Sequence, residues 1–250
     1  MYDLNIAIEP GRQTIPVIKI HLHNDWNNLD GKYDADIAML ELSWAVQFSD
    51  YIQPLCLWDS RLDPSATQGI VIGYGRSEDF HKKHENTPKK IELPIHNNEF
   101  CYIKEPRLAA ISSLRTFCAG SGDGTGVCIG DSGGALLIKI NNVYYLRGIV
   151  SASLIDDGFC DVYNYAIFTN VLKFKEWIAI KANIEKQAEN SDQCGVMSTS
   201  TGLIQRGEIS SRREFPWMAL IVARNLHNSS AALITLRHVI THPDAVTDYD

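Results

Sequence analysis

Short apolar segments separated by turns make up most of the chain. Apolar and polar residues alternate from Val17 to Leu22, which predicts a strand with one buried face. Asn141 and Asn142 separate two apolar runs as a hairpin turn would. Further strands are predicted where turn residues bound an apolar run, namely at 69–75, 135–140, 143–151, 166–171, 217–223 and 231–241. This pattern is typical of an all-β fold.

One segment has helical spacing instead. Apolar residues recur near every third or fourth position over 171–186, with Trp177 and Ile178 on the apolar face, which predicts a helix. Residues 187–193 are polar and without periodicity, as in a linker, and strand-like segments resume after them.

Composition narrows the function classes. The chain is 45% hydrophobic and 21% charged, so it can bury a full core. A net charge of −7 argues against a nucleic-acid partner. No apolar run approaches the ~20 residues that a membrane span needs. The first residues carry no signal peptide, so a secretion signal would lie outside this chain.

Widely and irregularly spaced cysteines suit a disulfide framework in an oxidising compartment. Six buried thiols in a cytosolic protein are the alternative. No C-x-x-C pair occurs, so we expect no metal and no cofactor. The six are Cys56, Cys101, Cys118, Cys128, Cys160 and Cys194.

The strongest chemical motif is the glycine-rich segment 128–134, Cys-Ile-Gly-Asp-Ser-Gly-Gly. A serine between glycines can sit in a tight turn with its hydroxyl exposed. The N–H groups of Gly130 and Ser132 can then converge as an oxyanion hole requires. Asp131 can hold the loop through an internal ion pair. The motif alone also fits α/β-hydrolases or a loop without catalysis.

Other segments occur with this motif in a fixed order. Asp36 precedes an apolar strand, which suits a buried carboxylate that orients a histidine. The others are Pro-Leu-Cys-Leu at 54–57, Gly-Tyr-Gly at 73–75, Cys-Ala-Gly at 118–120 and the helix after residue 171. Over residues 10–186 the chain resembles the chymotrypsin-like (S1) serine proteases, in particular secreted arthropod proteases of extracellular cascades.

The resemblance implies a fold of two six-stranded β-barrels with a C-terminal helix near 171–186. It implies Ser132 as the nucleophile, Asp36 as the acid that orients the histidine, and Gly130 with Ser132 as the oxyanion hole. Asp131 would accept the new N-terminus after zymogen cleavage, and Ser151 would pair with the substrate backbone. The implied disulfides are Cys101–Cys118 and Cys128–Cys160, while Cys56 would tether an upstream light chain or propeptide.

The histidine of this family is missing from its expected place. No Thr-Ala-Ala-His-Cys segment precedes Asp36, and we expect neither His21 nor His23 to be catalytic. The absence of this segment favours the interpretation that the chain is a truncated product of a longer protease.

From about Cys194 the chain resembles the start of a second protease domain. Phe215-Pro216-Trp217 and the pair of apolar runs that follow match its first strands. Asp244 stands where the histidine would be, and we expect no catalytic role for His242. We therefore divide the chain into a protease domain without its N-terminal quarter (1–186), a linker (187–200) and an N-terminal fragment of a second, degenerate domain (201–250). We also predict that 203–250 dock onto 1–186 and complete the incomplete first barrel in permuted order.

Three residues bear on specificity. Gly126 would lie at the base of the primary pocket, which speaks against a trypsin-like preference for Arg or Lys. Ser153 would narrow the mouth of this pocket beside Ser151. We therefore expect the pocket to accept substrates with a small or medium-sized apolar side chain at P1.

Two functions stay open. The chain is a secreted serine endopeptidase by family, inactive here for want of the histidine, or a non-catalytic homologue that regulates a protease cascade. The expected partner is a polypeptide substrate or a cascade protease or inhibitor, with neither nucleic acid nor membrane. A glycosylation sequon at Asn228 is consistent with secretion.

Overall fold

The computed structural model describes residues 3–6, 9–27, 32–58, 67–75, 87–184, 194–197, 208–209, 213–222 and 229–247. The strands in these ranges are β1 (Val17–Leu22), β2 (Ala38–Leu42), β3 (Cys56–Leu57), β4 (Gln68–Gly73), β5 (Lys89–His96), β6 (Thr116–Ala119), β7 (Ala135–Ile140), β8 (Val143–Ala152), β9 (Ile155–Asp156), β10 (Phe159–Cys160), β11 (Ala166–Asn170), β12 (Glu208–Ile209), β13 (Met218–Ile221), β14 (Ser229–Leu233) and β15 (His238–Thr241). The helices are α1 (Asn98–Lys104), α2 (Arg107–Ile111), a 3-10 turn (Val171–Phe174), α3 (Lys175–Ala182) and α4 (Asp244–Thr247).

Six strands form a closed barrel in the middle of the chain. They pair in the order β11, β6, β5, β4, β7 and β8, and the pairing of β8 with β11 closes the ring. Its interior is filled by buried apolar side chains that include Leu93, Phe117, Leu136 and Phe168. Burial of this surface is the main force that holds the barrel closed.

A second sheet joins the two ends of the chain. Its order is β1, β2, β15, β14, β13, so three strands from the C-terminal segment continue two strands from the N-terminal one. β15 pairs antiparallel with β2, with Val239 opposite Leu40 and Ile240 opposite Met39. The C-terminal segment therefore docks onto the N-terminal part of the chain, as predicted. The five described strands of this sheet do not close into a ring, so the predicted completion of a six-stranded barrel stays a prediction.

Both segments contribute to one core beneath this sheet. Met39 and Leu40 from the N-terminal part pack in the same cluster as Trp217 and Ile240, and Trp217 is fully buried. A buried ion pair between Lys90 on β5 and Glu214 also links the segment to the closed barrel. The predicted linker, 187–200, lies outside the described residues except for 194–197.

The predicted mostly-β architecture and the late helix are confirmed. Residues 171–174 form a 3-10 turn, and the α-helix covers Lys175–Ala182. Helices α1 and α2 were not predicted, because five to seven residues are too few to show a helical period. The N-cap of α1 was a usable signal, since the Asn97 side chain accepts the Phe100 N–H at 2.7 Å.

Three disulfides are formed among the described residues. Cys101–Cys118 and Cys128–Cys160 are the two implied by the resemblance. The expectation that Cys56 tethers an upstream segment is wrong, because Cys56 is bonded to Cys194 downstream in the same chain. Docking of the C-terminal segment explains why Cys194 is the partner. It brings Cys194, which precedes β13, beside Cys56 in β3.

Candidate active site

The glycine-rich motif forms the loop that leads into β7. Its turns are closed by backbone bonds from Asp131 N–H to the Cys128 carbonyl and from Gly134 N–H to the Asp131 carbonyl, both 2.9 Å long. Gly133 has a φ of +79°, and a Cβ there would lie 2.2 Å from Thr241 Oγ1 and 2.4 Å from the Ser230 carbonyl oxygen. The loop therefore needs glycine at this point, because the C-terminal segment packs directly against it.

The backbone around Ser132 keeps two donors available. Neither the Gly130 N–H nor the Ser132 N–H donates a hydrogen bond to another residue in the described ranges. Gly130 has a φ of +98°, and its carbonyl oxygen accepts the Ser230 hydroxyl at 3.2 Å. An oxyanion hole needs two N–H groups that point at one place beside the serine hydroxyl, and this role for Gly130 and Ser132 stays a prediction.

Asp131 fixes this loop to the end of β4. Its Oδ1 accepts the Gly75 N–H at 2.9 Å and its Oδ2 accepts the Cys128 N–H at 3.0 Å. Burial raises the pKa of Asp131 to about 6, against the effect of these two bonds. No ion pair joins its carboxylate to any residue that the structure describes. The expected pairing with a new N-terminus stays a prediction.

Asp36 lies buried just before β2. Its Oδ2 accepts the hydroxyl of Ser151, and its backbone carbonyl accepts the Thr169 hydroxyl at 2.8 Å. Ser151 therefore holds Asp36, in addition to the substrate contact expected from the sequence. Burial is the main cause that raises the pKa of Asp36 to about 7, opposed by the Ser151 bond and reinforced by the charge of Asp244.

Asp244 begins α4, three residues after β15 ends. Its charge raises the pKa of both Asp36 and Tyr33, so the fold brings it into Coulombic range of the carboxylate that the resemblance pairs with histidine. The position predicted for the missing histidine thus holds a second acid.

None of the described histidines bonds to Ser132 or Asp36. The Nε2 atom of His21 lies 3.9 Å from the Oε2 atom of Glu41. The ring of His23 packs against Phe174 and Trp177. His242 is buried, and a Cβ on Gly133 would lie 2.8 Å from its Cδ2 atom. Burial lowers the pKa of His242 to about 4, so its imidazole is neutral at physiological pH.

A small pocket lies at Val127, the residue that precedes the predicted nucleophile loop (128–134). Gly126 and Ser153 line it, and their role in a primary specificity pocket stays a prediction. A Cβ on Gly126 would lie 3.2 Å from Val162 Cγ1, so Val162 and Gly126 meet at the pocket wall. Val162 and Asp161 were not predicted from the sequence, because nothing in the local pattern places their segment against residue 126. The Asp161 carboxylate accepts bonds from Asn164 at 2.8 Å and from Arg107 at 3.2 Å.

A sequence model of the family described as Trypsin matches residues 4–178. The chain belongs to the trypsin family of serine proteases. It is 33% identical to "Serine protease gd" of Drosophila melanogaster over 204 residues, which cover 68% of this chain and 38% of that protein. It is 29% identical to "CLIP domain-containing serine protease B15" of Anopheles gambiae over 183 residues, which cover 70% of this chain and 48% of that protein.

A third relative, "CLIP domain-containing serine protease HP8" of Bombyx mori, is 32% identical over 177 residues, which cover 68% of this chain and 46% of that protein. The chain therefore spans less than half the length of these insect proteases. In the described ranges of this chain, no helix has both the length and the apolar composition of a membrane span.

Proposed function

We propose that this chain binds polypeptides in the cleft of a serine protease fold without hydrolysing them. The observation that carries this proposal is the carboxylate of Asp244 close to Asp36, where the family places the imidazole. Peptide hydrolysis by a serine needs a base that removes the hydroxyl proton and later donates it to the leaving amine.

Two carboxyl groups are poorly suited to that task. An imidazole has a pKa near neutrality, so it can take and return a proton at physiological pH. A carboxylate beside Asp36 is too weak a base for a neutral alcohol, and each acid disfavours ionisation of the other. In subtilisin, a serine protease of unrelated fold, removing the catalytic histidine alone costs about 10⁶ in turnover.

The remaining parts of the cleft support binding. The two N–H groups at Gly130 and Ser132 and the pocket lined by Gly126 and Ser153 are all present. We expect these groups to contact a bound peptide whether or not its bond is cleaved. A polypeptide substrate, or a protease or inhibitor of an extracellular cascade, is the partner class that fits. Three disulfides and the insect serine protease relatives support a secreted, extracellular location.

A second candidate is serine endopeptidase activity through an acyl-enzyme on Ser132. The bond from Ser151 to Asp36 and the intact loop around Ser132 favour it, since a protease would need both. This candidate requires an imidazole that reaches Ser132.

Labelling with a fluorophosphonate separates the two candidates, because the reagent traps only an activated serine. The full chain and its Ser132→Ala variant are treated in parallel and digested for mass spectrometry. We expect no adduct on Ser132 and no Ser132-dependent cleavage of unfolded casein. An adduct on Ser132 that the alanine variant lacks would contradict the proposed function and establish the second candidate.

A further inference from the structure

A short hairpin projects beside the pocket. It consists of β9 and β10 joined by Asp157 and Gly158, and it pairs with no other strand in the described part of the chain. Both turn residues have positive φ, +47° and +84°, which is the conformation that favours a tight two-residue hairpin.

The base of the hairpin is fixed to the nucleophile loop. Cys160 is bonded to Cys128, four residues before Ser132, and the Ile129 N–H lies 3.3 Å from the Cys160 Sγ. The Asp161 N–H donates to the Leu154 carbonyl at 2.9 Å. A two-stranded hairpin alone is marginal in water, so these bonds hold the shape that the strands could not hold alone.

Apolar side chains are exposed on both faces of this hairpin. Ile155 lies opposite Cys160, and Asp156 lies opposite Phe159. Directly opposed residues share a face and successive residues alternate, so Ile155 and Phe159 lie on opposite faces. Ile155 is 54% exposed and Phe159 is 50% exposed. Large apolar groups at such exposure on a rigid projection are typical of a protein contact.

The charge of the hairpin restricts the partner. Asp156 and Asp157 are exposed, and no lysine or arginine occurs between Arg147 and Lys173. The third acid nearby, Asp161, is paired with Arg107 at 3.2 Å. Two exposed negative charges beside two exposed apolar side chains complement a surface that carries both basic and apolar groups.

We propose that the β9–β10 hairpin is a docking surface for a polypeptide segment that alternates basic and apolar side chains. This role rests on the proposed function, in which the chain acts by binding polypeptides. The rigid base lowers the entropy lost on binding, and the disulfide places the docked segment next to the cleft.

The test uses two fluorescein-labelled peptides, one alternating leucine with arginine and one alternating leucine with glutamate. Their dissociation constants for the full chain are measured by fluorescence anisotropy. We expect the arginine peptide to bind at least about tenfold more tightly, since opposite charges attract and like charges repel. Two double variants, Ile155→Ser with Phe159→Ser and Asp156→Asn with Asp157→Asn, should each weaken that binding at least about tenfold. Asparagine tolerates the positive φ at residue 157, so the second variant keeps the turn.

The matched control is Leu114→Ser, which removes a 94% exposed leucine outside the hairpin and should leave the dissociation constant unchanged. The docking surface is overturned if the arginine peptide fails to bind up to about 1 mM, or if its binding is insensitive to both hairpin variants. Ser132 labelling is scored separately, so an active Ser132 with an intact hairpin effect would overturn only the proposed function.

Discussion

Asp36 and Asp244 lie close enough that the charge of Asp244 adds to the effect of burial on Asp36. Burial is the larger cause, the bond from Ser151 opposes it, and the result is a pKa of about 7 for Asp36. The two acids come from opposite ends of the chain and meet only because β15 pairs with β2. An imidazole in place of Asp244 would remove the repulsion between these two acids.

The pKa of Asp36 predicts a pH-dependent stability. Its carboxyl binds more protons in the folded chain than in the unfolded chain between pH 3.8 and about 7, so the free energy of unfolding falls as the pH rises through this range. Asp36→Asn should flatten that fall and stabilise the chain at pH 8 by on the order of 1 kcal/mol or more. Urea denaturation at pH 5 and pH 8 measures both effects.

The control for this comparison is Asp123→Asn. Asp123 is exposed and its pKa is lowered by a bond from Ser121, so its removal should not stabilise the chain at pH 8. A wild-type stability that rises from pH 5 to pH 8, with no gain in Asp36→Asn, would contradict the burial of a largely uncompensated carboxyl.

Loss of one partner of the buried Lys90–Glu214 ion pair should weaken the docking of the C-terminal segment. Glu214→Ala leaves the ammonium of Lys90 buried without this partner and should cost about 3–5 kcal/mol of unfolding free energy. The double variant Lys90→Met with Glu214→Leu should recover most of that loss, since apolar side chains fill the same space. Equal stability of the single variant and the wild type would show that the segment is not held at this contact.

The Cys56–Cys194 disulfide should stabilise the permuted arrangement. It links residues 138 positions apart, and closing a loop of this length removes much of the entropy of the unfolded chain. Cys56→Ala with Cys194→Ala should lower the free energy of unfolding by about 2–5 kcal/mol. Thermal unfolding of this variant beside Cys101→Ala with Cys118→Ala, a loop of 17 residues, should show the larger loss for the longer loop. Persistence of disulfide-linked dimers through Cys56 in the wild type would instead indicate a partner outside the chain.

Local features of this fold could be predicted from the sequence. The hairpin between β7 and β8 follows from Asn141 and Asn142, whose φ values of +50° and +65° fit the turn that two asparagines favour. The glycine-rich loop 128–134 follows from its glycines, because Gly130 and Gly133 have φ values of +98° and +79°, which favour glycine.

The rest depends on contacts between distant segments. The partner of Cys56 and the ion pair of Lys90 with Glu214 arise only once the C-terminal strands are docked. Asp161 and Val162 reach the pocket through the β9–β10 hairpin, whose course no local pattern fixes. Docking itself follows from the sequence as a prediction, because residues 203–250 resemble the first strands of a protease domain and residues 1–186 resemble one without them.

The most direct test of the proposal that Ser132 has no base is the variant Asp244→His. An imidazole at this position would lie beside Asp36, which Ser151 already holds, and a general base is worth about 10²–10⁴ in rate. The measurement is the rate of fluorophosphonate labelling at Ser132 in the wild type, in Asp244→His and in Asp244→His with Ser132→Ala. We predict labelling at least about 10²-fold faster in Asp244→His than in the wild type, and none in the double variant. Labelling of Ser132 in the wild type as fast as in Asp244→His would contradict the account, because Ser132 would then already have its base. No labelling in either protein would contradict the placement of Asp244 at the position of the base.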